Sequence, residues 1–254
     1  MEDARAAGMP RIGDTAPAFT AVTTQGELHF PGDYIGKWVV LFSYQTDFTP
    51  VCATELMTFA AMKKEFEELE VELIGLSIAS VYSHIAWLRK MKELVWKDIK
   101  HMEITFPLIA DVSMEVAEKY AMLHKSASKT QTIRAVYIID EESKIRAVLY
   151  YPFSVGRNIE EIKRIVIALQ TADHEKAATP ADWMPGEDII MPAPKTCDAA
   201  SERMDKVSEN MYCLDWFLAF RQTNLEQEDE DREPEINPYP SVFPPNRKRK
   251  NTKY

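Results

Sequence analysis

The stretch "KWVVLFSYQTDFTPVCATELMTF", residues 37–59, decides the fold because it joins two kinds of hydrophobic pattern across one short loop. "KWVVLFSY" (37–44) is an unbroken apolar run rich in β-branched and aromatic residues, which is typical of a buried strand. "TELMTFAAMKKEFEEL" (54–69) places its apolar residues on one face, which predicts an amphipathic helix. The sequence therefore predicts a strand, a loop and a helix, with Cys52 in the first turn of the helix.

Strand and helix patterns alternate further along the chain and then end in a hairpin. A second apolar run at 71–78 predicts a strand parallel to the first, because the helix between them supplies the crossover that parallel strands need. "AVYIIDEESKIRAVLYY" (135–151) has two β-rich runs around a polar turn, which predicts a β-hairpin. Amphipathic patterns predict helices at 83–94, 113–122 and 159–172. We therefore expect an α/β fold, a mixed sheet flanked by helices on both faces.

The composition changes after about residue 173, and this divides the chain into three parts. "ATPADWMPGEDIIMPAPKTC" is rich in proline and typical of an extended arm, and the apolar "MYCLDWFLAF" (211–220) needs a surface to pack on. From Glu226 the chain is acidic, then proline-rich, then basic, which is typical of disorder. We predict a main domain at 8–172, a C-terminal dimerisation arm at 173–224 and a disordered tail at 225–254.

Charge and composition exclude several classes of function. The 254 residues carry a formal net charge of −10, so no general basic field would attract nucleic acid. No apolar run is long enough to span a membrane, and "MEDARAAGMPRIGD" lacks the apolar segment of a secretory signal. We therefore expect a cytoplasmic protein with neither nucleic-acid nor membrane partners.

The three cysteines, Cys52, Cys197 and Cys213, are widely spaced and form no CxxC motif or Cys/His cluster. This spacing predicts neither a zinc site nor a disulfide-stapled fold, and we expect no metal. No histidine lies within fifteen residues of a cysteine, so the sequence offers no base for a cysteine hydrolase.

The position of Cys52 at a helix start gives a physical reason for thiolate chemistry. Unpaired N–H groups and the helix dipole favour an anion there, and for a thiol the anion is the nucleophilic thiolate. An ordinary thiol needs about 3.4 kcal/mol of stabilisation to go from about 3% to roughly 90% ionised at pH 7. A helix end supplies about 0.3–1 kcal/mol, and up to ~2 when partly buried. A cation or strong hydrogen-bond donors must therefore lie nearby, and the candidate cation is Arg134, which opens an otherwise apolar strand. On these grounds alone, two other interpretations stay open: Cys52 as apolar filling and Arg134 as a solvated strand edge.

Several motifs, in order along the chain, resemble those of the peroxiredoxins, in particular the 1-Cys-like branch with a long C-terminal arm. "DFTPVCATE" resembles their active-site loop, "TIRAVYIID" the strand that carries their active-site arginine, and "YYPFSVGRNIEEIKRIVIALQ" (150–170) their hairpin-to-helix segment. "GDTAPAF" (13–19) and "TPADWMPGEDIIMP" resemble their N-terminal stretch and their arm. The resemblance implies a thioredoxin-like fold. It also implies reduction of hydrogen peroxide and alkyl hydroperoxides, with no metal or organic cofactor.

The resemblance also implies roles for individual residues in catalysis. Cys52 would attack the peroxide and become a sulfenic acid. Thr49 and Arg134 would bind the peroxide and stabilise the charge that develops on the leaving oxygen. Thr49 and Pro50 also suit a helix start, since threonine can cap and proline is tolerated in the first turn.

The residues around Cys52, Thr49 and Arg134 match the family pattern less uniformly. Glu55 and Arg157 fit the family's surrounding charge network, although ordinary surface pairing would give the same pattern. Tyr44 stands where many close relatives have histidine. Gln45 stands where the family has a proline that shields the thiolate, so the resemblance leaves open a catalytically weakened redox sensor or chaperone-like assembly on the same fold.

The resemblance leaves the later steps and the assembly open. Long-armed relatives often use a cysteine near the C-terminal end to resolve the sulfenic acid, which favours Cys213 over Cys197, and an external thiol is the third possibility. The expected partners are a peroxide, a thiol reductant (a thioredoxin-like protein or a small thiol) and a second copy of the chain. We expect a homodimer, with a decameric ring of dimers as a larger form.

Overall fold

The strand predicted at 37–44 forms as Trp38–Ser43 inside a seven-stranded sheet. The computed structural model describes residues 9–124, 126, 128, 130–205 and 210–223. The tail predicted at 225–254 lies outside the described residues. The domain boundaries at 172/173 and 224/225 stay predictions.

Twelve strands, six α-helices and one short 3-10 helix (Gly32–Tyr34) occur among the described residues. The strands are β1 (Phe19–Thr23), β2 (Gly26–Phe30), β3 (Trp38–Ser43), β4 (Val71–Ser77), β5 (Val95–Trp96), β6 (Ile99–Lys100), β7 (Leu108–Ala110), β8 (Arg134–Ile139), β9 (Ile145–Tyr151), β10 (Ile189–Ile190), β11 (Met211–Asp215) and β12 (Leu218–Arg221). The helices are α1 (Pro50–Ala61), α2 (Lys63–Glu68), α3 (Val81–Met91), α4 (Glu115–Lys119), α5 (Ile159–Glu175) and α6 (Cys197–Asp205).

The large sheet is mixed, with the strand order β2-β1-β7-β4-β3-β8-β9. β3 lies parallel to β4, with Trp38 opposite Val71, and antiparallel to β8, with Phe42 opposite Val136. β8 and β9 form the predicted hairpin. The parallel pair and the hairpin therefore confirm the two main sequence predictions for this sheet.

Helices cover both faces of the sheet because β3 is apolar on both of its sides. On one face, Val40 and Phe42 pack in a core with buried residues of α1, α3 and α5, and the Phe42 and Phe59 rings stack with their centroids 4.2 Å apart. On the other face, Val39 and Leu41 pack in a second core that includes residues of α4. The predicted mixed sheet with helices on both faces is confirmed.

The C-terminal arm folds back on α5 and ends in a small sheet. Trp183 is buried; its carbonyl accepts a hydrogen bond from Arg164 Nη1 at 3.0 Å, and its indole N–H donates to Glu187 O at 3.0 Å. The segment predicted to need a packing surface forms the β11–β12 hairpin, which pairs with β10. No helix in the described part of the chain has the length and hydropathy of a membrane span.

Several elements differ from the sequence prediction, among them the short strands β5, β6, β7 and β10, which were not predicted. The helix predicted at 54–69 begins four residues earlier, at Pro50, and divides at Met62, whose backbone leaves the helical region (φ −90°, ψ 2°). α4 is shorter than the predicted 113–122, because Met114 before it is left-handed. The β1–β2 hairpin was not predicted, since its strands mix polar and apolar residues.

Candidate active site

Cys52 is the third residue of α1, and Thr49 occupies the N-cap position. Pro50 has no N–H to satisfy, and its fixed φ suits the first helical position. The first backbone hydrogen bond of α1 runs from Ala53 N to Thr49 O at 3.0 Å, so the amides of Val51 and Cys52 precede it. Amides in this position favour an anion. The structure thus places Cys52 at the helix start, as the sequence predicted.

The hydroxyl of Thr49 does not cap the helix. It donates instead to the carbonyl of Thr46 at 2.9 Å, within the loop that precedes α1. The expected capping hydrogen bond, in which this oxygen would accept from a backbone N–H of the first turn, is absent. The Thr49 oxygen keeps lone pairs and can accept a hydrogen bond from a ligand.

The sheet register brings Arg134 to Cys52 although the two lie far apart in sequence. Arg134 opens β8, so the antiparallel pairing of β8 with β3 places it beyond the end of β3, where the loop to α1 begins. Arg134 Nη1 donates to Cys52 Sγ at 3.3 Å, and both side chains are fully buried. This contact excludes the interpretation of Arg134 as a solvated strand-edge residue. It also gives Cys52 a charged hydrogen-bond partner, so Cys52 is not merely an apolar residue that fills the core.

Glu55 links Arg134 to a second arginine, Arg157. Its Oε2 accepts from Arg134 Nη1 and from Arg157 Nη2, each at 2.7 Å, and its Oε1 accepts from the Arg157 backbone N–H at 2.8 Å. All three side chains are at most 2% exposed, so this is not ordinary surface pairing. One carboxylate between two guanidinium groups leaves one positive charge unmatched within this hydrogen-bonded group. A Cys52 thiolate matches that charge.

Further contacts hold Arg157 beneath the site. Its Nη1 donates to the carbonyls of Ser43 at 3.0 Å and Ala135 at 3.2 Å, and its guanidinium lies 5.2 Å from the Phe42 ring centroid. These partners belong to β3 and β8, the same two strands that position Arg134. The arginine pair is therefore anchored to the centre of the sheet.

Tyr44 belongs to a buried polar cluster with Asp47 and His84. The Tyr44 hydroxyl donates to Asp47 Oδ1 at 3.1 Å and lies 3.2 Å from His84 Nδ1, which is 2.9 Å from both Asp47 oxygens. Burial, and then the charge of Asp47, raises the pKa of Tyr44 well above its ordinary value, so the phenol stays protonated and can donate. The Tyr44 carbonyl accepts from the Thr132 hydroxyl at 2.7 Å. This cluster ties the loop before α1 to α3.

Sequence reasoning missed Asp47, His84 and the carbonyl of Phe153, which accepts from Arg134 Nε at 3.3 Å. The carbonyl carried no sequence signal. His84 did carry one: it shares the buried face of α3 with Trp87 and Met91, and a histidine at a buried position needs polar partners.

The other two cysteines lie on the C-terminal arm. Cys197 is exposed at the first residue of α6, and Cys213 is half-buried in β11, where its Sγ lies 3.9 Å from the carbonyl of Arg203. All three cysteines are free thiols. The structure links Cys52 to Arg134 and, through Arg134, to Glu55 and Arg157, with Thr49 at the N-cap of the same helix, but it does not pair Cys52 with another cysteine. No cluster of metal-ligating side chains occurs among the described residues.

The comparisons with known proteins identify the family of the chain. Residues 12–148 match the model of the AhpC/TSA family, and residues 168–206 match the C-terminal domain of 1-Cys peroxiredoxin. A peroxiredoxin of Methanosarcina mazei is 59% identical over 214 residues, which covers 84% of this chain and 98% of the relative. A peroxiredoxin of Aquifex aeolicus is 48% identical over 220 residues, covering 83% of this chain and 96% of the relative.

Two solved structures share the fold over most of the chain. A mutant of peroxiredoxin 6 of Arenicola marina aligns with a TM-score of 0.74 at 32% identity and covers 85% of this chain and 99% of its own. A yeast mitochondrial 1-Cys peroxiredoxin aligns with a TM-score of 0.71 at 38% identity and covers 85% of this chain and 100% of its own. With its thioredoxin-like fold, this chain belongs to the peroxiredoxins of the AhpC/TSA family, on the 1-Cys-like branch, and it is a thiol-dependent peroxidase.

Proposed function

We propose that Cys52 reduces hydrogen peroxide and alkyl hydroperoxides through a sulfenic acid. The observation that carries the proposal is the 3.3 Å hydrogen bond from Arg134 Nη1 to Cys52 Sγ, in a fully buried pair at a helix start. Thr49 and Arg134 bind the peroxide, and Glu55, Arg157 and Tyr44 hold the groups that surround it.

Two contributions favour the thiolate form of Cys52. A hydrogen bond to a charged group is worth about 1.5–3 kcal/mol, and the helix start adds about 0.3–1 kcal/mol. These contributions therefore support Cys52 as the nucleophile.

The chemical step is a nucleophilic displacement at a peroxide oxygen. The Cys52 thiolate attacks the terminal oxygen of ROOH, the S–O bond forms, and the O–O bond breaks. The electron pair leaves with RO⁻, which takes a proton and becomes ROH, while the sulfur is oxidised to a sulfenic acid. Arg134 donates to the oxygen on which charge develops. The Thr49 hydroxyl donates its proton to the Thr46 carbonyl. Its oxygen therefore accepts a hydrogen bond from the O–H of the peroxide and orients the substrate.

Replacement of Cys52 by serine tests the assignment directly. The Cys52→Ser protein should consume no peroxide, because a hydroxyl at neutral pH is a poor nucleophile. The matched control is Cys197→Ser, which makes the same atom change at an exposed thiol and should still reduce one peroxide per chain in the first turnover. Near-native peroxide consumption by a folded Cys52→Ser protein would disprove the assignment.

For the resolving step we propose Cys213 in preference to Cys197, with an external thiol as the third candidate. The Cys213 thiol attacks the Cys52 sulfenic acid, so that a disulfide forms and water leaves. The two Cα atoms must approach to about 4.4–6.8 Å. Because Cys52 is fully buried at the helix start, this requires local rearrangement and makes resolution slower than oxidation. The yeast mitochondrial 1-Cys peroxiredoxin is described as resolving its thiol via glutathione/thioredoxin systems, so a small thiol or thioredoxin-like protein is the reductant to test here.

We also propose that the arm makes subunit contacts, so that the protein forms at least a homodimer. A decameric ring is the larger form to test. Leu214, Trp216 and Phe217 at the tip of the β11–β12 hairpin are exposed, although each carries a large apolar side chain. A second copy that covers them would bury this surface. Truncation after Glu187 should change the sedimentation coefficient beyond the loss of mass; an unchanged assembly would contradict this role. A cytoplasmic location, without nucleic-acid or membrane partners, stays a prediction.

A further inference from the structure

All five N–H groups of the Arg134 guanidinium already have acceptors. Nη1 donates to Cys52 Sγ and to Glu55 Oε2. Nη2 donates to Gln45 Oε1 at 3.1 Å and to the Phe153 carbonyl at 3.2 Å, and Nε donates to the same carbonyl. A peroxide oxygen can therefore receive a hydrogen bond from Arg134 only if one of these acceptors leaves.

The acceptors differ in how easily they can leave. Glu55 is a buried carboxylate that Arg157 also holds, so its removal would uncover charge. The Phe153 carbonyl is part of the backbone, and Cys52 Sγ is the nucleophile. Gln45 is half-buried, neutral and flexible, and its amide nitrogen has no hydrogen bond to any described residue. Of the four, only the Gln45 side chain can withdraw without uncovering a buried charge or moving the backbone.

We propose that Gln45 is a placeholder for the peroxide: its Oε1 occupies the position on Arg134 Nη2 that a peroxide oxygen takes, and it withdraws when peroxide binds. This inference rests on the proposed function, because it takes Arg134 to be the group that binds the peroxide. Gln45 then sets the rate of oxidation by competing with substrate, and only the fraction of molecules with Gln45 withdrawn is competent to bind peroxide. It does not change the charge that acts on Cys52, because the amide is neutral.

Two variants shorten the side chain in different ways. Gln45→Ala removes the acceptor, and Gln45→Asn keeps an amide but shortens the side chain by one methylene, which withdraws its oxygen from Arg134. Each should raise the second-order rate constant for oxidation by hydrogen peroxide about fivefold, which corresponds to about 1 kcal/mol. The matched control is Gln170→Asn, because the Gln170 amide donates to Leu69 O on a different part of the surface. It should leave the rate constant unchanged.

The experiment measures oxidation and alkylation on the same reduced, full-length proteins. Stopped-flow mixing with hydrogen peroxide gives the oxidation rate constant, and iodoacetamide, which needs no hydrogen bond from Arg134, reports the availability of the Cys52 thiolate. The placeholder role predicts faster oxidation in both variants, with the rate and pH midpoint of alkylation unchanged. Unchanged or slower oxidation in both variants would overturn it. An equal rise in alkylation would also overturn it, since Gln45 would then only screen the sulfur. Failure of the proposed function looks different: Cys52 of the wild-type protein would not be oxidised at all.

Discussion

The buried carboxylate of Glu55 is the part of the site whose removal has the largest calculable effect. Glu55→Gln keeps the shape of the side chain but removes the one carboxylate that two buried guanidinium groups share. Removing one partner of a buried ion pair destabilises a protein by about 3–5 kcal/mol. With an m value of about 3 kcal/mol/M, the urea midpoint should fall by about 1–1.7 M.

The matched control is Glu161→Gln, which breaks a glutamate–arginine pair of similar geometry at the surface. Arg164 donates to the Glu161 carboxylate through Nε at 2.6 Å and Nη2 at 2.8 Å, and these hydrogen bonds lower the pKa of Glu161. Both side chains are at least a quarter exposed, so the loss should be about 0–1 kcal/mol. Urea unfolding followed by circular dichroism compares the two variants at one protein concentration.

In the absence of urea, where the Glu55→Gln protein is folded, its Cys52 should be more reactive than that of the wild-type protein. Loss of the negative charge leaves more positive charge beside the sulfur, so the pH midpoint of iodoacetamide alkylation should fall while stability also falls. Equal urea midpoints for Glu55→Gln and Glu161→Gln would refute the buried network as a structural requirement. A rise in the alkylation midpoint would refute the charge argument.

Three further predictions concern neighbouring groups. Arg134→Ala should slow Cys52 oxidation by roughly 10–100-fold, the equivalent of one charge-assisted hydrogen bond, and should raise the pH midpoint of alkylation; an unchanged rate and midpoint would leave Arg134 only a structural role. Tyr44→Phe should lower the free energy of unfolding by about 1–2 kcal/mol, measured by urea unfolding, because it removes the buried hydroxyl that donates to Asp47. After one equivalent of peroxide, non-reducing mass spectrometry should find a Cys52–Cys213 peptide that Cys213→Ser abolishes, whereas a Cys52–Cys197 peptide would reverse this assignment.

The sequence predicts the centre of the fold well because its central strands are apolar on both sides. The runs at 37–44 and 71–78 appear as Trp38–Ser43 and Val71–Ser77, each within one residue of the predicted bounds. The β1–β2 hairpin escaped prediction because its strands lie at the edge of the sheet and mix polar with apolar residues. Its turn signal, Gly26 at φ +110°, was present in "TTQGEL" but had no clear strand pattern beside it.

The local part of the site was predictable and the long-range part was not. Thr49 and Cys52 lie next to each other on one helix start, so pattern and capping rules place them. The charge argument and the family resemblance both suggested Arg134, but only the β3–β8 register shows that it reaches the sulfur. The pairing of His84 with Asp47 depends on how α3 packs against the loop, which no local pattern encodes. The hydroxyl of Thr49 illustrates the same limit, since a local rule predicted a cap, whereas the side chain donates to the Thr46 carbonyl and caps no helical N–H.

The most direct test of the central claim is to locate the first oxidised atom. Reduced, full-length protein is mixed with one equivalent of hydrogen peroxide in the presence of dimedone, which traps sulfenic acids, and the modified peptides are mapped by mass spectrometry. We expect a dimedone adduct on Cys52 and none on Cys197 or Cys213, because only Cys52 has the helix start and Arg134 beside its sulfur. An adduct on either arm cysteine, with Cys52 unmodified, would contradict the assignment of Cys52 as the nucleophile.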